Sequence, residues 1–169
     1  MTRIYLAGPM TGIPSFNFPA FMAAAEVLRG LGYDVVSPAE MDDEETAAAA
    51  MASPDGAVGS GSVDGETWGD FLARDIKLIA DGAERQWIDS ADEAFSKSRL
   101  PIDGLVMLPG WENSRGARLE AFVGLLCGKV FAVYDPDANT TTWVPDSFIK
   151  HQLALQWAED LKIYAPINR

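Results

Sequence analysis

Gly104-Leu105-Val106-Met107-Leu108-Pro109-Gly110-Trp111-Glu112-Asn113-Ser114-Arg115-Gly116-Ala117-Arg118-Leu119-Glu120 is the stretch whose reading decides the fold. It opens with a short apolar run, which reads as a buried strand. Pro109-Gly110 breaks the run, and Asn113 and Ser114 are both residues that cap helices. From Arg115 the apolar positions Ala117, Leu119, Phe122, Val123 and Leu126 recur at roughly helical spacing. The unit is strand, loop, helix, with Glu120 about one and a half turns inside the helix. A helix N-terminus directly after a strand offers unpaired backbone N–H groups and the positive end of a dipole, a seat for phosphate. Ser114 adds a hydroxyl there, Arg115 and Arg118 add cations, and Glu120 belongs to the same helix. The plainer alternative is that Asn113 and Ser114 only cap the helix and Glu120 is solvated.

Working outward, Ile4 to Ala7 reads as a first strand and Gly8-Pro9-Met10-Thr11-Gly12 as a loop at its C-terminal end. Phe18 to Leu31 has helical periodicity, with Phe21, Ala24, Ala25 and Leu28 on one face, and Gly32 ends it. Tyr33 to Ser37 is the second strand, stopped by Pro38. Met41 to Met51 reads as a weak helix and Ser53 to Gly65 as a Gly/Ser-rich loop. Trp68 to Ile79 is amphipathic through Trp68, Phe71, Leu72, Ile76 and Ile79, with Asp75 in its middle. Asp81 to Pro101 reads as an inserted short helix and loop. Ile102 to Leu108 is the third strand, Arg115 to Cys127 a helix and Val130 to Tyr134 a fourth strand. Pro136 to Pro145 reads as a loop, Phe148 to Leu161 as a helix capped by Asp146-Ser147, and Ile163 to Arg169 as a short extension.

This alternation predicts a single α/β domain, a flavodoxin/Rossmann-like three-layer sandwich with a parallel sheet of four or five strands and insertions at about 41–66 and 81–101. Ligands of such sheets bind beyond the C-terminal strand ends, where connections switch direction. The loops Gly8–Gly12 and Pro109–Ser114 are both expected there, facing one crevice.

The chain has 169 residues, of which 48% are hydrophobic, enough for one domain with a proper core. No apolar run approaches the ~18 residues of a membrane span, and Met1-Thr2-Arg3 leads straight into a strand, so neither a membrane partner nor a secretory signal is expected. Cys127, the single cysteine, excludes a disulfide framework within the chain and fits a cytoplasmic setting; in the apolar stripe of a helix it reads as packing rather than as a nucleophile. A net charge of −12 makes a nucleic-acid polymer an unlikely partner. The lone His151 and the absence of a nucleophile elbow speak against a Ser-His-Asp triad. No cluster with zinc spacing is present, and no metal or cofactor is implied.

Tyr5-Leu6-Ala7-Gly8-Pro9-Met10, Asp75 on a helix, and Asn113-Ser114-Arg115-Gly116-Ala117-Arg118-Leu119-Glu120 together resemble the nucleoside 2-deoxyribosyltransferase family, in particular a branch of uncharacterised phage and bacterial proteins. The resemblance covers roughly the first 37 residues, Trp68 to Ile79 and Ile102 to Tyr134. It implies chemistry at a sugar C1′, with Glu120 at the position of the nucleophile, Asp75 at that of the acid/base group and Tyr5 at that of the orienting hydroxyl. Such a reaction passes through an oxocarbenium-like state that a carboxylate stabilises or traps. Gly8, Met10, Gly12 and Asn17 would shape the sugar and base pocket.

The transferases carry an aspartate where Ser114 stands, whereas the related nucleoside 5′-monophosphate N-glycosidases carry a serine that binds phosphate. With Gly116 and Arg115 beside it, Ser114 points to hydrolysis of a (deoxy)nucleoside 5′-monophosphate. Base exchange on free deoxynucleosides and a non-catalytic nucleotide-binding or sensing role are the alternatives. The resemblance also implies a homodimer or higher homo-oligomer, with Trp87, Trp143 and Trp157 as candidate interface residues.

Overall fold

Strand and helix alternate as the hydrophobic pattern requires in the computed structural model, which describes residues 2–57, 67–81 and 101–164. The strands are β1 (Arg3–Ala7), β2 (Asp34–Val36), β3 (Gly104–Met107), β4 (Val130–Asp135) and β5 (Thr140–Val144); the helices among the described residues are α1 (Phe18–Gly30), α2 (Glu44–Ala52), α3 (Trp68–Ala80), α4 (Arg115–Leu126) and α5 (Asp146–Tyr164). They form a mixed α/β, Rossmann-like three-layer sandwich around a sheet of order β2-β1-β3-β4-β5. β1 pairs in parallel with both β2 and β3, and β3 in parallel with β4.

Alternation along β1 and β3 sorts the core into two halves. Ile4, Leu6, Val106 and Leu108 pack with Phe18, Phe21, Ala24 and Leu28 of α1. Tyr5, Ala7, Leu105 and Met107 face the other way, onto Ile79 of α3, Ala117 and Ala121 of α4, and Ile149 and Leu153 of α5. The side chains of Ile4, Tyr5, Leu6, Phe21 and Leu105 are fully buried, and an apolar side chain so placed contributes about 1.5–3 kcal/mol. The parity of Tyr5 along β1 therefore puts its ring on the face covered by α3 and α4.

Helix starts follow local chemistry. Asp43 caps α2 by accepting from Thr46 N at 2.8 Å. Thr67 and Asp70 form a capping box at α3. Ser114 caps α4, its Oγ accepting from Ala117 N at 3.3 Å.

The loop expected over Pro136–Pro145 is instead a turn followed by β5, which pairs antiparallel with β4 from Phe131↔Val144 to Asp135↔Thr140. The sheet is thus parallel in four strands and closed by an antiparallel edge. The Thr140-Thr141-Thr142-Trp143-Val144 run is rich in residues that suit a pleated strand, but none of its side chains is buried, so the hydrophobic alternation that marks the other strands is missing. Asn139, at φ +52°, completes the turn that reverses the chain. The last helix begins at Asp146, two residues before its expected first residue. Cys127 lies just past the last residue of α4 and is half-buried. Most of the expected short helix and loop of Asp81–Pro101 (residues 82–100), most of the Gly/Ser-rich segment, Trp87, and the end of the chain from residue 165 fall outside the described residues.

The segment from Met10 to Asn17 is clamped to the end of α2. Gly12 N donates to Gly56 O at 3.0 Å and Ser15 N to Ser53 O at 2.8 Å, while Ser15 Oγ donates to Met51 O at 2.8 Å. Ser15, Phe16 and Asn17 all have positive φ, 54°, 48° and 61°. Three consecutive non-glycine residues in the left-handed region cost energy and are held there by these contacts. The result projects Phe16 toward the C-terminal ends of β1 and β3.

Candidate active site

At those strand ends lies a cleft of about 110 Å³, lined on one side by Gly8, Met10, Thr11, Phe16 and Phe18, on another by Pro38, Asp42, Thr46 and Ala50, and opposite them by Trp68, Phe71, Leu72, Arg74 and Asp75 of α3 and Ser114, Gly116, Ala117 and Glu120 at the start of α4. This is the switch point of the sheet, where β1 and β3 are neighbours but the chain crosses from β2 to β3. Gly8 is required by the close approach of the two strand-end loops: a Cβ there would lie 2.9 Å from Leu108 Cβ and 3.2 Å from Phe21 Cζ.

Three expected residues meet here. The Tyr5 hydroxyl donates to Glu120 Oε1 at 3.1 Å, and Asp75 lines the same cleft from α3. All three are buried: Tyr5 fully, Asp75 to 6% exposure and Glu120 to 7%. Burial, with the Asp75 charge nearby, pushes the Glu120 carboxyl up to about 8, against the opposing pull of the Tyr5 hydroxyl. Burial raises Asp75 as well, and the Arg74 guanidinium and the Tyr5 hydroxyl only lessen that rise. Burial beside the two carboxyls keeps the Tyr5 phenol far above its ordinary range, so it is a neutral donor. Glu120 therefore holds its proton to a higher pH than an ordinary carboxyl, and it titrates as one of a coupled pair with Asp75.

The remaining expectations divide. Gly8, Met10, Ser114 and Gly116 line the cleft; Gly12, Asn17 and Arg115 are not among its lining residues. Gly12 instead anchors its loop on Gly56, and Asn17 Nδ2 donates to Pro9 O at 2.9 Å, bracing the loop from behind. Arg115 is exposed and lies over the Trp68 ring, 5.5 Å from its centroid. Arg118 turns away from the cleft to α5, where Nη1 meets Asp160 Oδ2 at 2.7 Å, and its side chain is 8% exposed. Ser114 combines the two readings given to it: it caps α4 and also lines the cleft. The N–H groups of Arg115 and Gly116 lie in the first turn of α4, where a helix leaves its donors without intrahelical acceptors.

Two cleft residues carry functional weight that the sequence reading did not give them. Arg74 Nε donates to Asp75 Oδ1 at 3.1 Å and Arg74 Nη1 to Asp42 Oδ1 at 2.5 Å. Arg74 is visible beside Asp75 in sequence, but Asp42 belongs to an acidic run, Met41-Asp42-Asp43-Glu44-Glu45, with no local feature that separates one carboxylate from the next. Among the described residues no three His, Cys, Asp or Glu side chains are grouped to hold a metal ion, and no helix is long and apolar enough to cross a membrane.

A family model described as Domain of unknown function (DUF4406) matches residues 2–55 and 85–133. The match takes in β1, α1, β2, α2, β3 and α4 and passes over α3, which carries Asp75. No curated protein and no solved structure matches the chain.

Proposed function

The chain belongs to the DUF4406 family, whose function is unknown, and we propose that it hydrolyses the N-glycosidic bond of a (deoxy)nucleoside 5′-monophosphate, as its likeness to nucleoside 2-deoxyribosyltransferases suggests. The observation that carries this reading is the Tyr5–Glu120 hydrogen bond in a cleft shared with Asp75. Glu120 is the nucleophile at C1′, Asp75 delivers the proton to the departing base, and the Tyr5 hydroxyl holds the Glu120 oxygen in line. The reaction needs a pair that holds a single proton: one carboxyl must protonate the leaving base while the other meets the oxocarbenium-like carbon as an anion. The proton drawn to Glu120 by burial must pass to the Asp75 side before attack. Water then attacks C1′, gives its proton to the Asp75 carboxylate and releases the sugar from Glu120, returning both groups to their starting forms.

In this reading the base is taken up by Phe16, Trp68 and Phe71 and the phosphate by the first turn of α4, where Ser114 and Gly116 line the cleft. Incubation with a panel of nucleoside monophosphates and an assay for free base tests the proposal. No release from any of them, with Glu120→Ala indistinguishable from the unmodified protein, refutes it.

Base exchange on free nucleosides is the second reading. It is favoured by the orientation of Arg115 and Arg118, which leaves Arg74, already paired with Asp42 and Asp75, as the cation lining the cleft among the described residues. Mixing a deoxynucleoside with a second free base separates the two, because only a transferase yields the swapped nucleoside. The reading also carries a homo-oligomer, supported by the exposed Leu119, Phe122 and Leu126 along α4. A monomer in sedimentation at micromolar concentration argues against it.

A further inference from the structure

Among the described residues three carboxyl groups line the cleft, Asp42, Asp75 and Glu120, each from a different segment of the chain, and one cation lines it with them, Arg74. The guanidinium is not shared equally. Its two contacts go to Asp75 and Asp42, whereas the hydrogen-bond partner of Glu120 is the neutral hydroxyl of Tyr5. The Phe71 ring lies against the same guanidinium, 5.4 Å from its carbon to the ring centroid. A planar fork gripped in this way has little freedom to swing toward Glu120, and a lysine could not span both carboxylates. Asp42 is the anchor, with a side chain 8% exposed.

Like charges confined to one cleft cannot all be ionised, and the placement of the cation decides which of them keeps its charge. The groups facing Asp75 are Arg74 on its own helix, Asp42 from the segment before α2, Tyr5 from β1 and Glu120 from α4. We propose that Arg74, anchored on Asp42, is a positioning residue that fixes Asp75 as the charged member of the Asp75–Glu120 pair and leaves the proton on Glu120. The inference rests on the reading of that pair as the working groups of the cleft. It adds the residue that makes the two carboxyls unequal in the resting cleft, and so sets the direction in which the proton must move, from Glu120 to Asp75, before Glu120 attacks. Burial drives both carboxyls up, and the Arg74 guanidinium works against that rise at Asp75, whereas among the described residues the opposing pull on Glu120 comes from the Tyr5 hydroxyl.

A carboxyl-carbon NMR titration of the full chain tests this, with Asp75→Asn and Glu120→Gln used to assign the two signals. In the unmodified protein Asp75 titrates at least about one pH unit below Glu120. In Arg74→Gln the Asp75 titration moves up by at least about one unit and the two curves draw together, and Arg74→Lys recovers part of the separation. A folded Arg74→Gln protein with an unmoved Asp75 titration overturns the proposal. So does an unmodified protein in which Glu120 titrates below Asp75, a result that decides the matter even if Arg74→Gln fails to fold. The titration needs no turnover. The stated order without nucleotide cleavage defeats the functional reading and leaves the role of Arg74 intact, whereas cleavage with the reversed order does the opposite.

Discussion

The Tyr5 hydroxyl reaches Glu120 Oε1 at 3.1 Å across 115 residues of sequence. β1 and α4 make this contact because β1 sits beside β3, and α4 follows β3 after a short loop. Tyr5→Phe keeps the ring and removes the donor. Losing a donor that favours the anion raises the Glu120 titration further above about 8. The expected outcome is a fall in kcat/KM of about 10- to 100-fold and a loss of about 1 kcal/mol in folding stability. Steady-state kinetics and urea melts measure the two effects separately, and a Phe variant with full activity would remove Tyr5 from the mechanism.

The proposed hydrolysis makes a one-proton form of the Asp75–Glu120 pair the active one, so the pH profile should be bell-shaped. Its alkaline limb lies near 8, where the last proton of the pair is lost, and its acid limb lies where Asp75 takes up a second. Glu120→Gln lowers kcat by about 10³-fold or more, and Asp75→Asn by about 10²- to 10⁴-fold with loss of the alkaline limb. A kcat/KM that climbs through pH 8 and stays high would mean that the base leaves without a proton and that Asp75 is not its donor.

Stability should carry the same signature. The folded-state titration of Glu120 lies near 8, above the ordinary 4.5. Below 4.5 the group is protonated folded and unfolded alike and costs nothing. Between 4.5 and about 8 the unfolded chain ionises and the folded one does not, so stability drains away with rising pH and then levels off. Glu120→Gln abolishes the effect. The variant should match the parent at pH 4 and exceed it at pH 9 by up to about 5 kcal/mol, as denaturant midpoints across that range would reveal. Parallel curves for the two proteins would place Glu120 in a far more solvated setting.

How much of this could be read from the chain depends on where the signal resided. The strand–loop–helix of Gly104 to Glu120 and the first β-loop-α-β unit carry punctuation at every boundary, and their parity is enough to bring Tyr5 and Glu120 together. β5 was hidden because an exposed edge strand has no buried side to alternate with. The direction of Arg118 was hidden because spacing along one helix gives a face but not its neighbour, and the neighbour is Asp160 on a helix formed later in the chain. Asp42 lay in an acidic run whose members differ only in what the tertiary fold sets against them.

Arg118 supplies a negative control for the phosphate seat. It pairs with Asp160 on α5 and its buried Nε has no partner among the described residues. Arg118→Met exchanges an incompletely satisfied buried cation for apolar volume, a change often near neutral. Asp160→Asn leaves that cation without its counter-charge and costs about 1–2 kcal/mol. Neither should alter KM for a nucleoside monophosphate, whereas Ser114→Ala should raise it. Thermal melts and kinetics of the three variants check this, and a KM effect at Arg118 equal to that at Ser114 would reassign the seat.

Gly56 bears on the site from outside it. Its φ is +61°, and a Cβ there would fall 2.1 Å from Ile13 O and 2.8 Å from Ile13 N. No side chain fits, and the obstruction is backbone rather than a flexible tip. Gly56→Ala must push the Met10–Asn17 loop off the end of α2, breaking the Gly12 N to Gly56 O and Ser15 N to Ser53 O bonds that hold it. Those bonds also hold Ser15, Phe16 and Asn17 at positive φ, so their loss lets the strained turn relax and Phe16 leave the cleft wall. A loss of about 2–4 kcal/mol is expected, together with a KM that rises more than kcat falls, because the aromatic wall is disturbed and the carboxyl pair is not. Equal effects on the two kinetic constants would mean that the loop also positions Glu120 or Asp75, and an unchanged melting temperature would mean that the loop is not seated on α2 as described.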